Sequence, residues 1–165
     1  MRVLGIDPGY SLVGFSIIEN KSNSYELMKV GIIDTSKEND FGKKLLIISQ
    51  RVKEIIEEFK PDFLCIEELF FNKNVKTAIK VAQAIGVIKL EAIKNNIKIT
   101  EITPLEVKKY ITGTSGRHPK TQIQNLIKII LNQSTIIKPD DAADSVAIAI
   151  AGLGKISKEI KVELP

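Results

Sequence analysis

Three carboxylates open the segment KPDDAADSVAIAIAG near the C-terminal end of the chain. Asp140, Asp141 and Asp144 precede small and apolar residues in a pattern that is typical of a buried helix. A buried carboxylate without a partner is strongly unfavourable, so these groups either lie in water or surround a cation. Asp141 and Asp144 are three residues apart and therefore share one face of the helix. Asp140 directly follows Pro139 and is a good candidate for the helix N-cap.

Two further acids stand at the ends of predicted strands. Asp7 ends the apolar stretch MRVLGID, and Glu67 ends FLCIE. If these strands are parallel neighbours, both acids lie at the carboxyl edge of the sheet, where α/β proteins usually place their sites. Each acid alone also has a simpler interpretation, because Asp7 precedes a Pro-Gly turn and Glu67 is followed by the equally acidic Glu68. The combination predicts four acids from three distant segments at one edge.

Such a cluster predicts a metal site. Carboxylates that converge repel one another unless a cation neutralises them. A ligand set made only of oxygen atoms favours Mg²⁺ or Mn²⁺ over zinc. We therefore predict a site for a hard divalent cation.

The positive charge of the chain is concentrated in one segment. From residue 72 to residue 138, twelve Lys or Arg residues stand against three acids, a balance of +9, whereas the remainder of the chain has a balance of −5. Such a segment is typical of a protein that binds a polyanion. A general preference for Lys would raise the number of basic residues but would not explain the scarcity of acids. The segment therefore predicts a nucleic-acid-binding face.

Apolar patterns divide the chain into strands and helices. MRVLGID, VGFSIIEN and SYELMKVGIID predict three strands, the last two joined as an antiparallel hairpin. Helical spacing predicts one helix from about residue 39 to 60, before the strand FLCIE, and another from about 75 to 95, after it. NIKITEIT predicts a fifth strand. Three helices follow: PLEVKKYI, KTQIQNLIKIIL and a last one from about Asp140 to Gly152. The core-facing side of the second helix is predicted to carry Ala78, Ala82, Ile85 and Ile93. This order predicts an α/β fold with a mixed sheet flanked by helices.

Length and composition fit one globular domain. The chain has 165 residues, of which 44% are hydrophobic and 27% charged, enough for a single core. No apolar run approaches the ~20 residues of a membrane helix. The single cysteine, Cys65, cannot form an internal disulfide and is expected to be buried in its strand. These features predict one domain over residues 1–154, a loose polar tail over residues 155–165, no membrane contact and a cytoplasmic location.

Three segments carry a family resemblance. GIDPGYSLVGFSII, PDFLCIEELFFNKN and PDDAADSVAIAIAG, in this order, resemble the signature segments of the RuvC-type Holliday-junction resolvases. The similarity extends from Met1 to about Gly152. It implies a ribonuclease H-like fold with a five-stranded mixed sheet. It also implies a metal-dependent endodeoxyribonuclease that resolves four-way DNA junctions by paired symmetric nicks during recombination and repair.

The resemblance assigns roles to the acids. The positions that match the family's catalytic and metal-binding acids are Asp7, Glu67, Asp141 and Asp144. Asp140 matches none of them, and some members carry His where this chain has Asp141. Hydrolysis of a phosphodiester needs an activated water and charge stabilisation on the phosphate, which two cations ~3.5–4 Å apart supply. We expect two Mg²⁺ ions per active site, with Mn²⁺ as a substitute and Asp7 as the ligand that both ions share.

Basic and aromatic residues complete the predicted site. Lys108 and Lys120 match basic residues that the family uses near the scissile phosphate, and Lys120 is assigned to catalysis as well as to DNA binding. Phe70 matches an aromatic residue that stacks on an unpaired base at the junction centre, although Phe70 or Phe71 alternatively packs inward. The only histidine, His118, is predicted to lie in a loop that contacts DNA or nothing. Further predicted contacts with the DNA backbone are Lys73, Lys76, Lys80 and Arg117.

Partners follow from the approximate two-fold symmetry of a four-way junction. Two matched nicks on opposed strands need two sites, which a C2 homodimer supplies. The resemblance implies such a dimer and a branch-migration motor as a further partner. The segment TAIKVAQAIGVIKL has more apolar and small residues than one core-facing stripe needs, which favours a second contact surface.

Two other classes of protein stay open. GIDPGYSLVG also resembles the phosphate loop of actin-like and sugar-kinase-like nucleotide-binding domains, although those proteins have a second such domain and a longer chain. A non-catalytic junction-binding protein, or a relative of the same fold that acts on RNA, would share the charge distribution. The presence of all four acids argues against a loss of catalysis.

Overall fold

The computed structural model describes residues 1–21, 24–69 and 75–163, the last three of these as backbone only. The predicted site residues Phe70, Phe71 and Lys73 lie outside the described residues. The strands are β1 (Arg2–Asp7), β2 (Leu12–Lys21), β3 (Ser24–Asp34), β4 (Phe63–Glu67) and β5 (Lys98–Ile102). The helices are α1 (Phe41–Phe59), α2 (Val75–Lys94), α3 (Pro104–Thr112), α4 (Lys120–Ile130) and α5 (Asp140–Glu163). Within the described part of the chain, no helix is long and apolar enough to cross a membrane.

The strands form one mixed sheet in the order β3-β2-β1-β4-β5. β2 is antiparallel to both β1 and β3, whereas β4 is parallel to both β1 and β5. The predicted hairpin and the mixed sheet flanked by helices are confirmed, and the parallel pairing of β1 with β4 meets the condition for a shared edge of the two acids. Because β1 and β4 are parallel neighbours, Asp7 and Glu67 lie at the same edge of the sheet.

Alternating side chains divide the sheet into two covered faces. Leu4 of β1 packs in a core with α1 and α2, whereas Val3 packs in a second core with α3, α4 and α5. Asp7 is an even number of residues from Val3 and therefore projects on the α5 side of the sheet. On β4, Cys65 packs in the α5 core, and Glu67 has the same parity as Cys65. Both acids thus lie on the face that α5 covers.

Two glycines allow the first turns of α5 to lie directly on the strands. A Cβ atom at Gly14, the residue paired with Asp7 on β2, would lie 1.9 Å from the carbonyl oxygen of Asp141. A Cβ atom at Gly5 would lie 2.3 Å from the carbonyl oxygen of Ser145. Only glycine permits so close a backbone approach. The contact at Gly14 brings the acidic start of α5 beside the end of β1.

The last helix is longer than the sequence predicted. α5 continues to Glu163, so the loose tail predicted for residues 155–165 is wrong for residues 155–163. Ile156 is 2% exposed and packs in the core with α3 and α4, and Lys155 forms a 3.1 Å ion pair with Glu106 of α3. The polar residues that predicted a tail instead cover the solvent side of a helix. The predicted domain end at residue 154 therefore falls inside α5.

The core-facing side of α2 also differs from the prediction. Ile85 is buried, but Ala82 and Ile93 are exposed. Glu91 lies within the buried stripe, where it accepts a 2.8 Å hydrogen bond from the hydroxyl of Ser49 on α1. A charged residue with a partner thus occupies a buried position outside the predicted apolar set. The buried residues of α2 are Ala84, Ile85, Ile88, Glu91 and Ala92.

Candidate active site

A cavity of about 310 Å³ opens where β1 and β4 end. Its acids are Asp7, Glu67 and Asp144, and its lysines are Lys108 and Lys120. These side chains come from β1, β4, α5, α3 and α4. Three of the four predicted acids and both lysines predicted to lie near the scissile phosphate are therefore brought together. The remaining lining residues are Pro104, Val107, His118, Ile123, Ala147 and Ile148.

Asp7 is the acid whose ionisation the site changes most. Burial, followed in order of effect by the negative charges of Asp144, Glu67 and Asp141, raises the pKa of Asp7 from 3.8 to about 7. The positive charge of Lys120 opposes the increase in part. Asp141 does not line the cavity, but it lies close enough to act on Asp7. Because all three other acids affect it, Asp7 lies at the centre of the group.

The pKa values of Glu67 and Asp144 are also raised. Burial, followed by the charge of Asp144, raises the pKa of Glu67, and Lys108 partly lowers it. Burial also raises the pKa of Asp144, against the lowering effect of its hydrogen bond from Lys120. The unfavourable free energy of gathering these charges is the property that a cation would relieve.

Lys120 already neutralises part of this charge. Its Nζ lies 3.0 Å from Oδ2 of Asp144 and 3.1 Å from Oδ2 of Asp140. Burial alone lowers the pKa of Lys120, but the hydrogen bonds to Asp144 and Asp140 raise it overall. The ammonium group therefore stays charged at neutral pH, at the mouth of the cavity, where it can also contact a phosphate.

The donor set fits a hard divalent cation. The acids of the cavity offer only carboxylate oxygens, and their mutual repulsion is visible in the raised pKa of Asp7. Within the described residues, no three Asp, Glu, His or Cys side chains converge closely enough to enclose one ion. The acids thus act on one another across the cavity without forming a closed cage, and binding an ion requires their side chains to turn toward it.

Two residues have partners that the sequence did not predict. Asp140 lies in the first turn of α5, where its carboxylate contacts Lys120 and accepts a 3.1 Å hydrogen bond from Gln124. The predicted N-cap role of Asp140 is therefore wrong, because its described partners belong to α4. His118 lines the cavity, and its ring nitrogens contact Thr112, Thr114 and Gln122. These contacts hold the loop before α4, which no local pattern revealed.

Those of the other predicted DNA contacts that belong to the described residues lie outside the cavity. Lys76 and Lys80 are exposed in the first two turns of α2, and Arg117 is exposed in the loop before α4. None of the three lines the cavity with the acids. Their exposed side chains are free to reach a DNA backbone.

The sheet order and the acids at its edge define a ribonuclease H-like α/β domain with an acidic cavity. The family described as "Crossover junction endodeoxyribonuclease RuvC" matches residues 3–152. A relative with that description from Caldicellulosiruptor saccharolyticus is 50% identical over 151 residues, which cover 91% of this chain and 90% of the relative. One from Finegoldia magna is 48% identical over 150 residues, 91% of each chain.

A solved structure gives the same result. "T. thermophilus RuvC in complex with Holliday junction substrate" superposes with a TM-score of 0.88 at 26% identity, over 95% of this chain and 96% of that one. The chain therefore belongs to the RuvC family of crossover junction endodeoxyribonucleases. The resemblance and the ribonuclease H-like fold predicted from the sequence are confirmed.

Proposed function

We propose that this protein is a structure-selective, metal-dependent endodeoxyribonuclease that resolves four-way (Holliday) DNA junctions by paired nicks. The observation that carries the proposal is the meeting of Asp7, Glu67 and Asp144 with two lysines in one cavity of a RuvC-family fold. A nucleotide-binding or non-catalytic role would not require acids whose charges raise one another's pKa values. The nuclease hypothesis explains why that unfavourable arrangement is present.

Asp7, Glu67, Asp141 and Asp144 are proposed to hold two Mg²⁺ ions, for which Mn²⁺ can substitute. When bound, the ions would activate a water molecule and stabilise charge on the scissile phosphate. Asp7 is the proposed shared ligand, because all three other acids act on its carboxyl group. With a pKa of about 7, that carboxyl exchanges its proton easily near neutral pH. A cation can thus displace the proton under physiological conditions.

Lys108 and Lys120 are proposed to hold the phosphate that is cut. Lys108 acts on Glu67 and Lys120 contacts Asp144, so the two ammonium groups are near different acids of the cavity. If a phosphate bound between the two lysines, Lys120 would contact the phosphate in place of part of its ion pair with Asp144. The lysines thereby position the phosphate and offset charge that develops on it.

Lys120→Gln is expected to lower the single-turnover cleavage rate by ~10²-fold while changing junction affinity by less than ~3-fold. The reason is that Lys120 contacts the catalytic acids, whereas a general backbone contact contributes mainly to binding. Arg117→Gln, which removes an exposed charge three residues away, is the matched control and should lower affinity without a large loss of rate. Equal effects of both variants on the rate would remove Lys120 from catalysis.

The activity itself is tested with a synthetic four-way junction and a matched linear duplex, each in Mg²⁺ and in EDTA. We expect paired nicks at opposed positions in the junction with Mg²⁺ only, and intact duplex in both conditions. Junction binding without nicks in Mg²⁺ or Mn²⁺ would favour a non-catalytic junction-binding protein. Absence of junction-selective binding, together with binding of a nucleoside triphosphate, would favour the actin-like alternative.

The protein is further proposed to act as a homodimer through α2. Four apolar residues of α2 are strongly exposed: Val75 at 69%, Ile79 at 51%, Leu90 at 52% and Ile93 at 61%. Together with the exposed Ala82 and Gly86, they recur at spacings of three and four residues, which places them on one stripe. An unpaired stripe of this length is the kind of surface that a second copy covers with its own equivalent.

Ile79→Asp combined with Ile93→Asp is expected to convert the dimer into a monomer, because the dimer contact would then bury two charges per chain. Light scattering coupled to size-exclusion chromatography measures the mass. Ile129→Asp, at a site 72% exposed on α4, is the control and should leave the mass unchanged. Loss of the dimer should also replace paired nicks by single ones, and a double variant that still dimerises contradicts the assignment of the interface to α2.

Two further proposals are based on the sequence. A branch-migration motor is implied as a partner by the resemblance alone. A cytoplasmic location was inferred from the composition of the sequence.

A further inference from the structure

Two ammonium groups meet on one aromatic ring on the opposite side of the sheet from α5. The Nζ of Lys44 on α1 lies 5.6 Å from the centroid of the Tyr10 ring, and the Nζ of Lys80 on α2 lies 5.3 Å from it. Lys80 is also 5.6 Å from the ring centroid of Phe41, and the Phe41 ring meets Tyr10 edge-on at 6.1 Å. These four residues are called the Tyr10 cluster.

The Tyr10 cluster holds more positive charge than its described partners neutralise. Lys44 is only 9% exposed, and its Nζ donates a 3.2 Å hydrogen bond to the hydroxyl of Ser11. Among the described residues, no carboxylate forms an ion pair with Lys44 or Lys80. Asp34 lies within electrostatic range of Lys44, but its pKa is lowered chiefly by hydrogen bonds from Ser36.

This arrangement is unfavourable for a free protein. A buried ammonium group normally has a carboxylate partner, and two like charges on one ring repel each other. The aromatic faces compensate only in part, since a cation–π contact contributes ~0.5–2 kcal/mol. An anion at Lys80 and Ser11 would satisfy both ammonium groups.

The cluster lies at the edge of the sheet that carries the acids. Tyr10 follows Asp7 by three residues, so their Cα atoms are at most ~11 Å apart. Along one DNA strand, this distance corresponds to about three nucleotides. The loop is fixed, because the hydroxyl of Thr35 donates a 2.7 Å hydrogen bond to the carbonyl of Tyr10, and its N–H donates one of 2.8 Å to the carbonyl of Ser11. Lys120 flanks the acids on the α5 side of the sheet, whereas the Tyr10 cluster flanks them on the α1 and α2 side.

We propose that the Tyr10 cluster is a second phosphate-binding site, which holds the backbone of the cut strand within about three nucleotides of the scissile phosphate. Lys80 and the Ser11 hydroxyl contact the phosphate, Lys44 supplies charge from behind Ser11, and the Tyr10 ring keeps both ammonium groups in place. The inference rests on the proposed function, since its ligand is the DNA strand that the acids cut. Together, Lys120 and the Tyr10 cluster would contact that strand on both sides of the cleavage point.

The test uses Lys80→Gln, Lys44→Met and a matched control, Lys98→Gln. Lys98 is also an exposed cation on an aromatic ring, 5.9 Å from the centroid of Phe63, but it lies at the opposite edge of the sheet, where β5 begins. Binding of each variant to the four-way junction is measured in EDTA over a range of salt concentrations. Lys80→Gln and Lys44→Met should each raise Kd by ~3–10-fold and reduce the slope of log K against log salt by about 0.9. Lys98→Gln should match the wild type.

Junctions that carry single methylphosphonates near the cleavage point identify the phosphate. One neutral position within about three nucleotides of the cut should weaken wild-type binding but have no further effect on Lys80→Gln. Lys44→Met should keep or raise the Tm, since it removes a buried charge while it preserves volume. The inference is overturned if Lys80→Gln binds like Lys98→Gln, or if every methylphosphonate affects both proteins equally. Failure of the wild-type protein to prefer the junction over a duplex would instead count against the proposed function.

Discussion

Asp7→Asn is expected to lower the junction-cleavage rate by at least ~10³-fold and to leave junction affinity within ~3-fold of the wild type. Asp7 is the one acid on which Asp144, Glu67 and Asp141 all act, so its loss removes the centre of the proposed ion site. DNA affinity depends mainly on basic residues, which the variant retains. Single-turnover cleavage in Mg²⁺ and electrophoretic mobility shift in EDTA measure the two quantities.

The same variant should stabilise the metal-free protein, and the sign follows from the pKa. The folded-state pKa of Asp7 is about 7 against an ordinary value of 3.8. Well below pH 4 the Asp7 carboxyl is protonated in both states. As the pH rises from about 4 to 7, the unfolded chain releases this proton while the folded protein retains it. Stability is therefore lost as the pH rises toward 7. At pH 8, Asp7→Asn should increase the free energy of unfolding by ~1–3 kcal/mol, after allowance for partial exposure.

Asp34→Asn is the matched control. Asp34 ends β3 opposite Leu12, at the same edge of the sheet, but hydrogen bonds from Ser36 lower its pKa. The Asp34 variant should therefore cleave junctions normally and gain no stability at pH 8. Mg²⁺-dependent cleavage by Asp7→Asn at a rate near the wild type would exclude Asp7 from the mechanism. A destabilised Asp7→Asn protein at pH 8 would show that the acids do not repel one another as described.

Gly14→Ala is expected to reduce both stability and activity. A Cβ atom at residue 14 would lie 1.9 Å from the carbonyl oxygen of Asp141 and 2.4 Å from its carbonyl carbon. Since these are backbone atoms, α5 must move away from β2 at the turn that carries the acids. We expect a loss of about 2–3 kcal/mol in the free energy of unfolding. The cleavage rate of the folded fraction should fall by at least ~10²-fold, because a misplacement of about 1 Å has that effect.

Gly116→Ala separates this contact from the general effect of replacing a glycine. The atoms nearest to a Cβ at residue 116 lie 3.7 and 3.8 Å away, in ordinary contact, so its stability should change by less than ~0.5 kcal/mol. Chemical denaturation measures the stability of both variants, and single-turnover cleavage well below the unfolding transition measures the activity of Gly14→Ala. If Gly14→Ala is as stable and as active as the wild type, the close approach of α5 does not position the acids.

The strands and most of the acidic site could be predicted from the sequence because their signals are local. Apolar runs that end in Asp7 and Glu67 indicate both the strands and their edge, and the spacing of Asp141 and Asp144 indicates a shared helix face. Partners supplied by another element leave no such signal. The ion pair of Asp140 with Lys120 depends on how α4 lies against α5, whereas the local sequence alone favours an N-cap for Asp140.

Charged residues inside buried helix faces account for other differences between the sequence prediction and the structure. Glu91 belongs to the buried stripe of α2 because Ser49 of α1 satisfies it, which apolar periodicity alone misses. Lys44 lies four residues before Ile48, in register with the buried stripe of α1. That register is a signal in the sequence, and it identifies a lysine that needs a partner inside the fold. The length of α5 was underestimated because its last turns bury only one side, including Ile156.

The central claim is that the acids share a pocket whose charge a divalent cation neutralises, and ¹³C NMR titration of the Asp and Glu carboxyl groups tests it most directly. The metal-free protein should show one carboxyl that titrates near pH 7, assigned to Asp7 by its loss in Asp7→Asn, and saturating Mg²⁺ should move that titration to a clearly lower pH. An Asp7 carboxyl that titrates near its ordinary value of 3.8, with or without Mg²⁺, would contradict the claim.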